Sequence, residues 1–310
     1  CGCGGGGSMA SCRRLSGAGC ARCGPGAGCF FDCDGVLWAG ERAVPGAPEL
    51  LERLRRSGKA ALFVSNNSRR SVAELERRFS RLGFRGVRAE HVFSSALCSA
   101  LFLRQRLLGG GGNGSGAAAS SCWAARGCAA RCATPGCAWR RGEPTPGEPV
   151  RAVLVGYDDQ FTFAKLAQAA ATCATRSACW WPPTRPLAPA QRRPAHPGDA
   201  RARTGSLTAA VETASGRKAL VVGKPNTYMF DCIVERFGVD PSRTLMVGDR
   251  LETDILFGKN CGLATILTLT GVSRLEEAQA YMASDSAAAK DLVPNYYVDS
   301  IADLIPGLDE

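Results

Sequence analysis

The sequence predicts an α/β protein: a Rossmann-like, mostly parallel sheet covered by helices on both faces, with an inserted α/β cap. Three observations predict it. Short apolar runs alternate with segments whose apolar residues recur at helical spacing. That alternation implies right-handed crossovers between parallel strands. The rhythm breaks across 108–217 and then resumes, which marks an insertion. The expected organisation is an irregular segment 1–29, a first core half 30–107, the inserted cap 108–217 and a second core half 218–310.

The elements follow in order. Cys29 to Phe31 is a short buried strand ending at Asp32. Pro48 to Ser57 is a helix with Leu50, Leu51 and Leu54 on one face, stopped by Gly58. Ala60 to Val64 is a strand, and Val72 to Leu82 a helix with Leu75, Phe79 and Leu82 at helical spacing. Val92-Phe93 is a strand and Leu97 to Leu108 a helix. Inside the insertion, Arg151 to Val155 is a strand and Phe163 to Ala171 a helix; the stretches around them show neither periodicity. After 217 come a strand over Ala219 to Val222, a helix over Tyr228 to Phe237 and a strand over Thr244 to Val247. A helix over Asp254 to Cys261, a strand over Ala264 to Leu267, a helix over Arg274 to Met282 and a strand over Tyr296 to Val298 complete the core.

The totals have a local origin. The net charge of +10 invites a nucleic-acid partner, and sixteen cysteines invite disulfides or zinc. Segments 1–29, 111–150 and 171–205 hold 13 Arg, no Lys and 3 acidic residues, which is the whole net charge. They also hold 12 of the 16 cysteines, leaving Cys33, Cys98, Cys232 and Cys261 elsewhere. The rest of the chain is neutral, so nucleic-acid binding through bulk charge is not expected. No apolar run reaches the ~20 residues of a membrane span. The opening CGCGGGGSMASCRR lacks the order of a signal peptide, so a cytosolic location is expected.

In parallel α/β sheets, ligands sit at the carboxyl ends of strands. Four expected strand ends carry residues suited to phosphoryl transfer. FFDCDGVLW places Asp32 and Asp34 two apart, on one side of a regular strand, and Gly35 lets the chain turn. A carboxylate nucleophile beside a carboxyl acid/base splits ester hydrolysis into two easier steps. Alone, a DxDG turn reads equally as a loop or a calcium-type ligand set. LFVSNNS offers Ser65, Asn66 and Asn67 as hydroxyl, amide and N–H donors for phosphate oxygens, or as an ordinary helix cap. LVVGKP sets Lys224 after an apolar run, either as a phosphate-binding ammonium or as a lysine reaching solvent. TLMVGDRLETD supplies Asp249 and, one helical turn on, Asp254. With Asp32 they suit Mg²⁺, a hard cation that takes few carboxylates; Asp254 alone suits charge complementation at a helix start.

Together and in this order, the set resembles the four motifs of the haloacid dehalogenase-like phosphatases. The resemblance implies Asp32 as nucleophile, Asp34 as acid/base, Ser65 and Lys224 as phosphate ligands, and Asp32, Asp34 and Asp249 at Mg²⁺. Asn66 and Asn67 join the phosphate loop, and Asp254 and Tyr157 support the site. The family's dehalogenases lack the second Asp, so Asp34 argues for phosphate chemistry. DCDGVLWAGERAVPGAPELLERL, FVSNNSRR, RAVLVGYDDQFTFAKL, LVVGKP and MVGDRLETDILFGKNCG followed by LTLTGVSRLEEAQAY resemble the family's vertebrate pyridoxal phosphatases. The match covers nearly all of 30–108, 150–170 and 204–310. It implies hydrolysis of pyridoxal 5′-phosphate, extending to phosphoserine of the actin regulator cofilin. It further implies a cap after the second motif, a homodimer through that cap, and a cytosolic, cytoskeleton-associated protein. Phosphoglycolate is the alternative substrate. A catalytically silent cytoskeletal interaction protein is the alternative of another class, disfavoured because every catalytic residue is present.

The same resemblance explains the unusual segments. Family caps open with a strand and helix worded FVLGGEGLRAEL; its GC-rich codons, shifted by one base, read Ser-Cys-Trp-Ala-Ala-Arg-Gly-Cys-Ala, the string from Ser121 to Ala129. The later cap strand LLVATD, shifted likewise, reads Cys-Trp-Trp-Pro-Pro-Thr, the string from Cys179 to Thr184. Segments within 111–150 and 171–205 are therefore expected to be out-of-frame translation. Zinc binding by Cys122, Cys128, Cys132 and Cys137 is the rival, and their spacing is not the paired CxxC kind. The family's ring-contacting histidine would lie in the second shifted segment, so His196 inherits no role. His91 reads as a surface or strand-edge residue, and Tyr157 as a shaper of the substrate pocket.

Overall fold

The computed structural model describes residues 12–15, 28–108, 120–124, 137–140, 150–158, 160–174, 179–181 and 204–308. In chain order the elements are β1 (Arg13–Arg14), β2 (Gly28–Phe31), β3 (Trp38–Ala39), β4 (Arg42–Ala43), α1 (Ala47–Arg56), β5 (Ala60–Ser65), α2 (Val72–Arg81), β6 (Val92–Ser94) and α3 (Ser95–Leu108). Next come β7 (Ser120–Ala124), β8 (Cys137–Arg140), β9 (Val150–Leu154), α4 (Phe163–Ala174), β10 (Cys179–Trp181), α5 (Thr204–Ser215) and α6 (Tyr228–Phe237). The last are β11 (Thr244–Gly248), a π turn (Leu251–Ile255), α7 (Leu256–Asn260), β12 (Ala264–Thr268), α8 (Leu275–Ala283), α9 (Ala287–Lys290) and β13 (Tyr296–Val298). Among the described residues no helix is long and apolar enough to cross a membrane.

The chain divides into two compact units. The first comprises Cys1–Phe63, Ser80–Gly86 and Gly238–Glu310; the second comprises Val64–Phe79 and Val87–Phe237. The first unit carries a parallel sheet in the order β1-β13-β12-β11-β2-β5, and β5 runs on past Phe63 to the second unit, where β6 completes the seven strands. All four residues of β2 and all five of β11 are buried, because strands pair on both sides of each and side chains pack on both faces. From β2 the chain proceeds to β5 on one side and later to β11 on the other. Loops therefore leave in opposite directions at the carboxyl ends of β2 and β11, which is where such sheets open a crevice.

The helices follow their apolar stripes. α1 buries Ala47, Leu50, Leu51 and Leu54 on one face, at about 1.5–3 kcal/mol per large side chain. Gly46 precedes it at φ +80°, where a Cβ would lie 2.6 Å from the Cβ of Ala302; the turn accepts only glycine on both grounds. α8 lays Ala278 and Tyr281 on Leu251, Ile255 and Leu267. In the second unit, α4 and α5 bury Ala169, Cys173, Leu207 and Val211 against Val153 and Val155. A four-stranded parallel sheet in the order β10-β9-β7-β8 carries β9 at its interior.

Four expectations change. Ala219 to Val222 forms no strand. The N–H at its start and one just past its end go to side chains instead of a ladder: Ala219 N–H to Glu212 Oε1 at 2.8 Å, and Lys224 N–H to Asn66 Oδ1 at 2.9 Å. Asp254 lies in the π turn, not in the α-helix that follows. The stretches without visible periodicity contain the backbone of β7, β8 and β10, formed by pairing beside β9. Arg13–Arg14, from the segment expected to be irregular, pairs with Tyr296 and Tyr297.

Candidate active site

In the first unit the site begins where β2 ends. The Asp32 N–H donates to Val247 O at 2.9 Å, a last rung that fixes Asp32 at the strand end with 9% exposure. The chain then turns at Gly35, whose φ of +92° disfavours any side chain. A Cβ there would also come 2.5 Å from Asp249 Oδ2. The β3–β4 ribbon follows, and its Trp38 Nε1 donates to Asp34 Oδ1 at 2.8 Å. Asp34 is exposed at the rim, oriented by that indole, while Trp38 itself is buried against Phe84.

β11 delivers the second carboxylate. Asp249 is 3% exposed and Asp254 1% exposed. The π turn brings Asp254 Oδ2 back to the N–H groups of Asp249 and Arg250, at 3.2 and 3.1 Å. Gly248 permits that approach, since its Cβ would lie 2.1 Å from the Asp254 Cβ. Asp249 Oδ2 accepts from the Val272 N–H at 2.8 Å, and its carbonyl accepts from the Ser273 N–H at 2.9 Å.

Asp32, Asp249 and Asp254 each present an oxygen, and these oxygens lie within 4.8 Å of one another. Three ionised carboxylates so placed repel by about 3 kcal/mol per pair at an effective dielectric near 20. A divalent cation removes that penalty. The donor set is all hard oxygen, which suits Mg²⁺ or Ca²⁺ rather than zinc or copper. The glycines at 35 and 271 keep the cradle open, since a Cβ at either would fall within 2.5 Å of Asp249 Oδ2. The residues therefore fit a divalent metal. The side chain grouped with Asp32 and Asp249 is that of Asp254; Asp34 lies outside the group.

In the second unit a polar loop follows β5. Ser65 is 2% exposed, and its Oγ accepts from the Asn67 N–H at 3.1 Å. Asn66 commits both ends of its amide to Lys224: Nδ2 donates to Lys224 O and Oδ1 accepts from Lys224 N–H, each at 2.9 Å. Lys224 is 1% exposed, with Nζ donating to Val64 O at 2.6 Å. The lysine expected at a strand end is thus a buried ammonium held by the serine–asparagine loop. Asn66 positions it.

Residues the sequence did not single out support this loop. Ser95 Oγ donates to Asn66 O at 3.0 Å, anchoring the loop to α3. Ser68, buried, accepts from the Tyr157 N–H at 3.4 Å, and the Arg69 guanidinium stands 4.4 Å over the Tyr157 ring. Asp158 is buried and paired to Lys165 at 2.6 Å, which fixes the GYD turn bearing Tyr157. SNNSRR holds Ser68 and Arg69 and GYD holds Tyr157 and Asp158, but nothing local to either string joins them. His91 occupies the single turn before β6, where Nδ1 accepts from the Arg88 N–H; burial, then Arg88, hold its pKa below the ordinary value. His196 lies outside the described residues, as do the side chains of Cys122, Cys128, Cys132 and Cys137.

Comparison with known proteins agrees with this chemistry. A haloacid dehalogenase-like hydrolase family model matches residues 29–115, and a HAD-hydrolase-like model matches 221–304. Chronophin of Homo sapiens is 58% identical over 311 residues, covering 97% of this chain and 100% of the relative. Glycerol-3-phosphate phosphatase of Gallus gallus is 47% identical, covering 91% of each chain. The solved structure of a glycerol phosphate phosphatase from Mycobacterium tuberculosis, in complex with calcium, superposes with a TM-score of 0.70 at 26% identity, covering 90% of this chain and 74% of that one.

Proposed function

The chain belongs to the haloacid dehalogenase-like hydrolases and is a phosphatase; from that premise we propose that it cleaves phosphoric monoesters through an aspartyl-phosphate on Asp32, with Mg²⁺ as its cation and pyridoxal 5′-phosphate as its substrate. The observation that carries this reading is the placement of Asp32 at the end of β2, with the oxygens of Asp249 and Asp254 within 4.8 Å.

The Asp32 carboxylate attacks phosphorus and displaces the alkoxide. Asp34, steadied by Trp38, protonates the leaving oxygen and then takes a proton from the water that hydrolyses the phospho-aspartate. Lys224, Ser65 and the N–H donors of the Asn66-Asn67 loop hold phosphoryl oxygens, and the buried ammonium opposes the charge gathered there. Asp32, Asp34 and Asp249 would hold Mg²⁺, with Asp254 grouped beside Asp32 and Asp249. When bound, the ion would neutralise charge on the transferring phosphoryl group.

The pyridoxal preference is supported by 58% identity to human chronophin and by the intact SNNSRR and GYD strings. The interval between the two family matches supports an inserted cap across 108–217. Dimerisation through that cap, action on phosphoserine of cofilin, and a cytosolic, cytoskeleton-associated location belong to the same reading. So do the out-of-frame segments within 111–150 and 171–205. A second reading, a glycerol-phosphate phosphatase, is favoured by the 47% identical relative, and phosphoglycolate is a third small ester to compare.

The test is phosphate release from pyridoxal 5′-phosphate, glycerol 3-phosphate and 2-phosphoglycolate, with and without Mg²⁺, for the parent chain and Asp32→Asn. The parent should prefer the pyridoxal ester and require Mg²⁺. Asp32→Asn should lose at least ~10³-fold in turnover, as expected for a covalent nucleophile. Turnover retained in that variant would refute the assignment.

A further inference from the structure

Four consecutive residues, Thr270 to Ser273, touch both carboxylate-bearing loops of the first unit. Thr270 Oγ1 donates to Gly35 O at 2.6 Å, a bond between residues 235 positions apart. Gly271 leaves so little room that a Cβ would sit 2.0 Å from Asp249 Oδ2. The Val272 N–H takes that same oxygen at 2.8 Å, and the Ser273 N–H takes the Asp249 carbonyl at 2.9 Å. Ser273, buried, also accepts from the Leu251 N–H at 3.2 Å, at the start of the π turn that carries Asp254. Thr270 is half-buried, and its hydroxyl lies 3.3 Å from that of the fully buried Thr268. β12 thus ends in a clamp. One end aims Asp249, and the other fixes the turn that begins at Asp32.

We propose that Thr270 is a positioning residue of the metal centre, its hydroxyl holding the Asp32–Gly35 turn against the loop that aims Asp249. The inference rests on reading Asp32 and Asp249 as ligands of a divalent cation. The sequence distance makes the bond a device between two loops rather than part of either. The Gly35 carbonyl takes its donor from a threonine hydroxyl just past the end of β12, one strand beyond the β11 that pairs with β2. Residues that orient metal ligands from outside the ligand set typically influence metal affinity by 10–100-fold.

The experiment compares the full chain with Thr270→Val, which keeps the shape and removes the hydroxyl, and Thr270→Ser, which keeps the hydroxyl. Calorimetric titration of the chelator-stripped proteins with MgCl₂ reads metal binding directly, and phosphate release reads kcat and KM. Thr270→Val should bind Mg²⁺ about tenfold more weakly and lose kcat with KM little changed, while Thr270→Ser stays within about twofold of the parent. Parental Mg²⁺ affinity in Thr270→Val overturns the proposal, as does a serine variant as impaired as the valine one. A parent that binds no Mg²⁺ overturns the metal centre and this inference with it. A parent that binds Mg²⁺ yet releases no phosphate from any ester refutes the phosphatase reading alone, because the Mg²⁺ affinities still decide the role of Thr270.

Discussion

Gly271 contributes no side chain, yet it bounds the position of the Asp249 carboxylate. Asp249 Oδ2 lies where a Cβ on either Gly35 or Gly271 would intrude, and the Val272 N–H holds it there. Gly271→Ala should therefore displace the carboxylate rather than unfold the chain, since residue 271 is exposed and no helix or strand includes it. The expected outcome is a loss of Mg²⁺ affinity of roughly 10–100-fold with far-ultraviolet circular dichroism unchanged; unchanged affinity would show that the loop yields. At this scale much was legible in advance. Asp32, Asp34, Ser65, Lys224 and Asp249 each follow or end an apolar run, a local pattern that names both residue and position. Thr270 was invisible because its meaning depends on Gly35, far away in sequence. Asp254 was visible as a carboxylate, but its place among the grouped oxygens depends on a π turn that no periodicity announces.

Elements were read well where an apolar stripe faces a core. The α1 helix was expected from Leu50, Leu51 and Leu54, and those residues are 1%, 4% and 2% exposed. The failure at Ala219 to Val222 has a physical cause. An apolar run specifies burial and extension, but it does not specify a neighbouring strand, and here Leu220 remains 41% exposed while the N–H groups at its start and just past its end bond to Glu212 and Asn66. The strands β7, β8 and β10 failed in the opposite sense: their pairing depends on partners along the sheet rather than on their own alternation. Element-scale energetics can be checked away from the carboxylates. Leu54→Ala in α1 should destabilise the fold by about 2–5 kcal/mol, the usual cost of emptying a leucine site. Denaturant titration measures it, and phosphate release per folded molecule should stay at the parental value. A loss below about 1 kcal/mol would mean that α1 settles into the gap.

At the scale of the whole molecule, charge and chemistry are segregated along the chain. The residues proposed for chemistry lie within the family matches, 29–115 and 221–304. The excess of Arg and Cys lies mainly between those matches and before the first. If the segments within 111–150 and 171–205 are out of frame, restoring the frame changes the part proposed to select substrate and leaves the carboxylates, Ser65 and Lys224 untouched. The two kinds of substrate should then separate. A small generic ester such as p-nitrophenyl phosphate asks little of a selecting surface, so its kcat should change by no more than about threefold on restoration. Pyridoxal 5′-phosphate needs contacts to its ring, and its kcat/KM should rise by at least ~10-fold, the value of one or two well-placed contacts. Equal changes for both esters would mean that the segments act on folding or on the chemical step instead. Resequencing the transcript supplies the independent arm: an in-frame message encoding Ser121 to Ala129 as written would remove the premise, and the parental preference among esters would then belong to these residues as they stand.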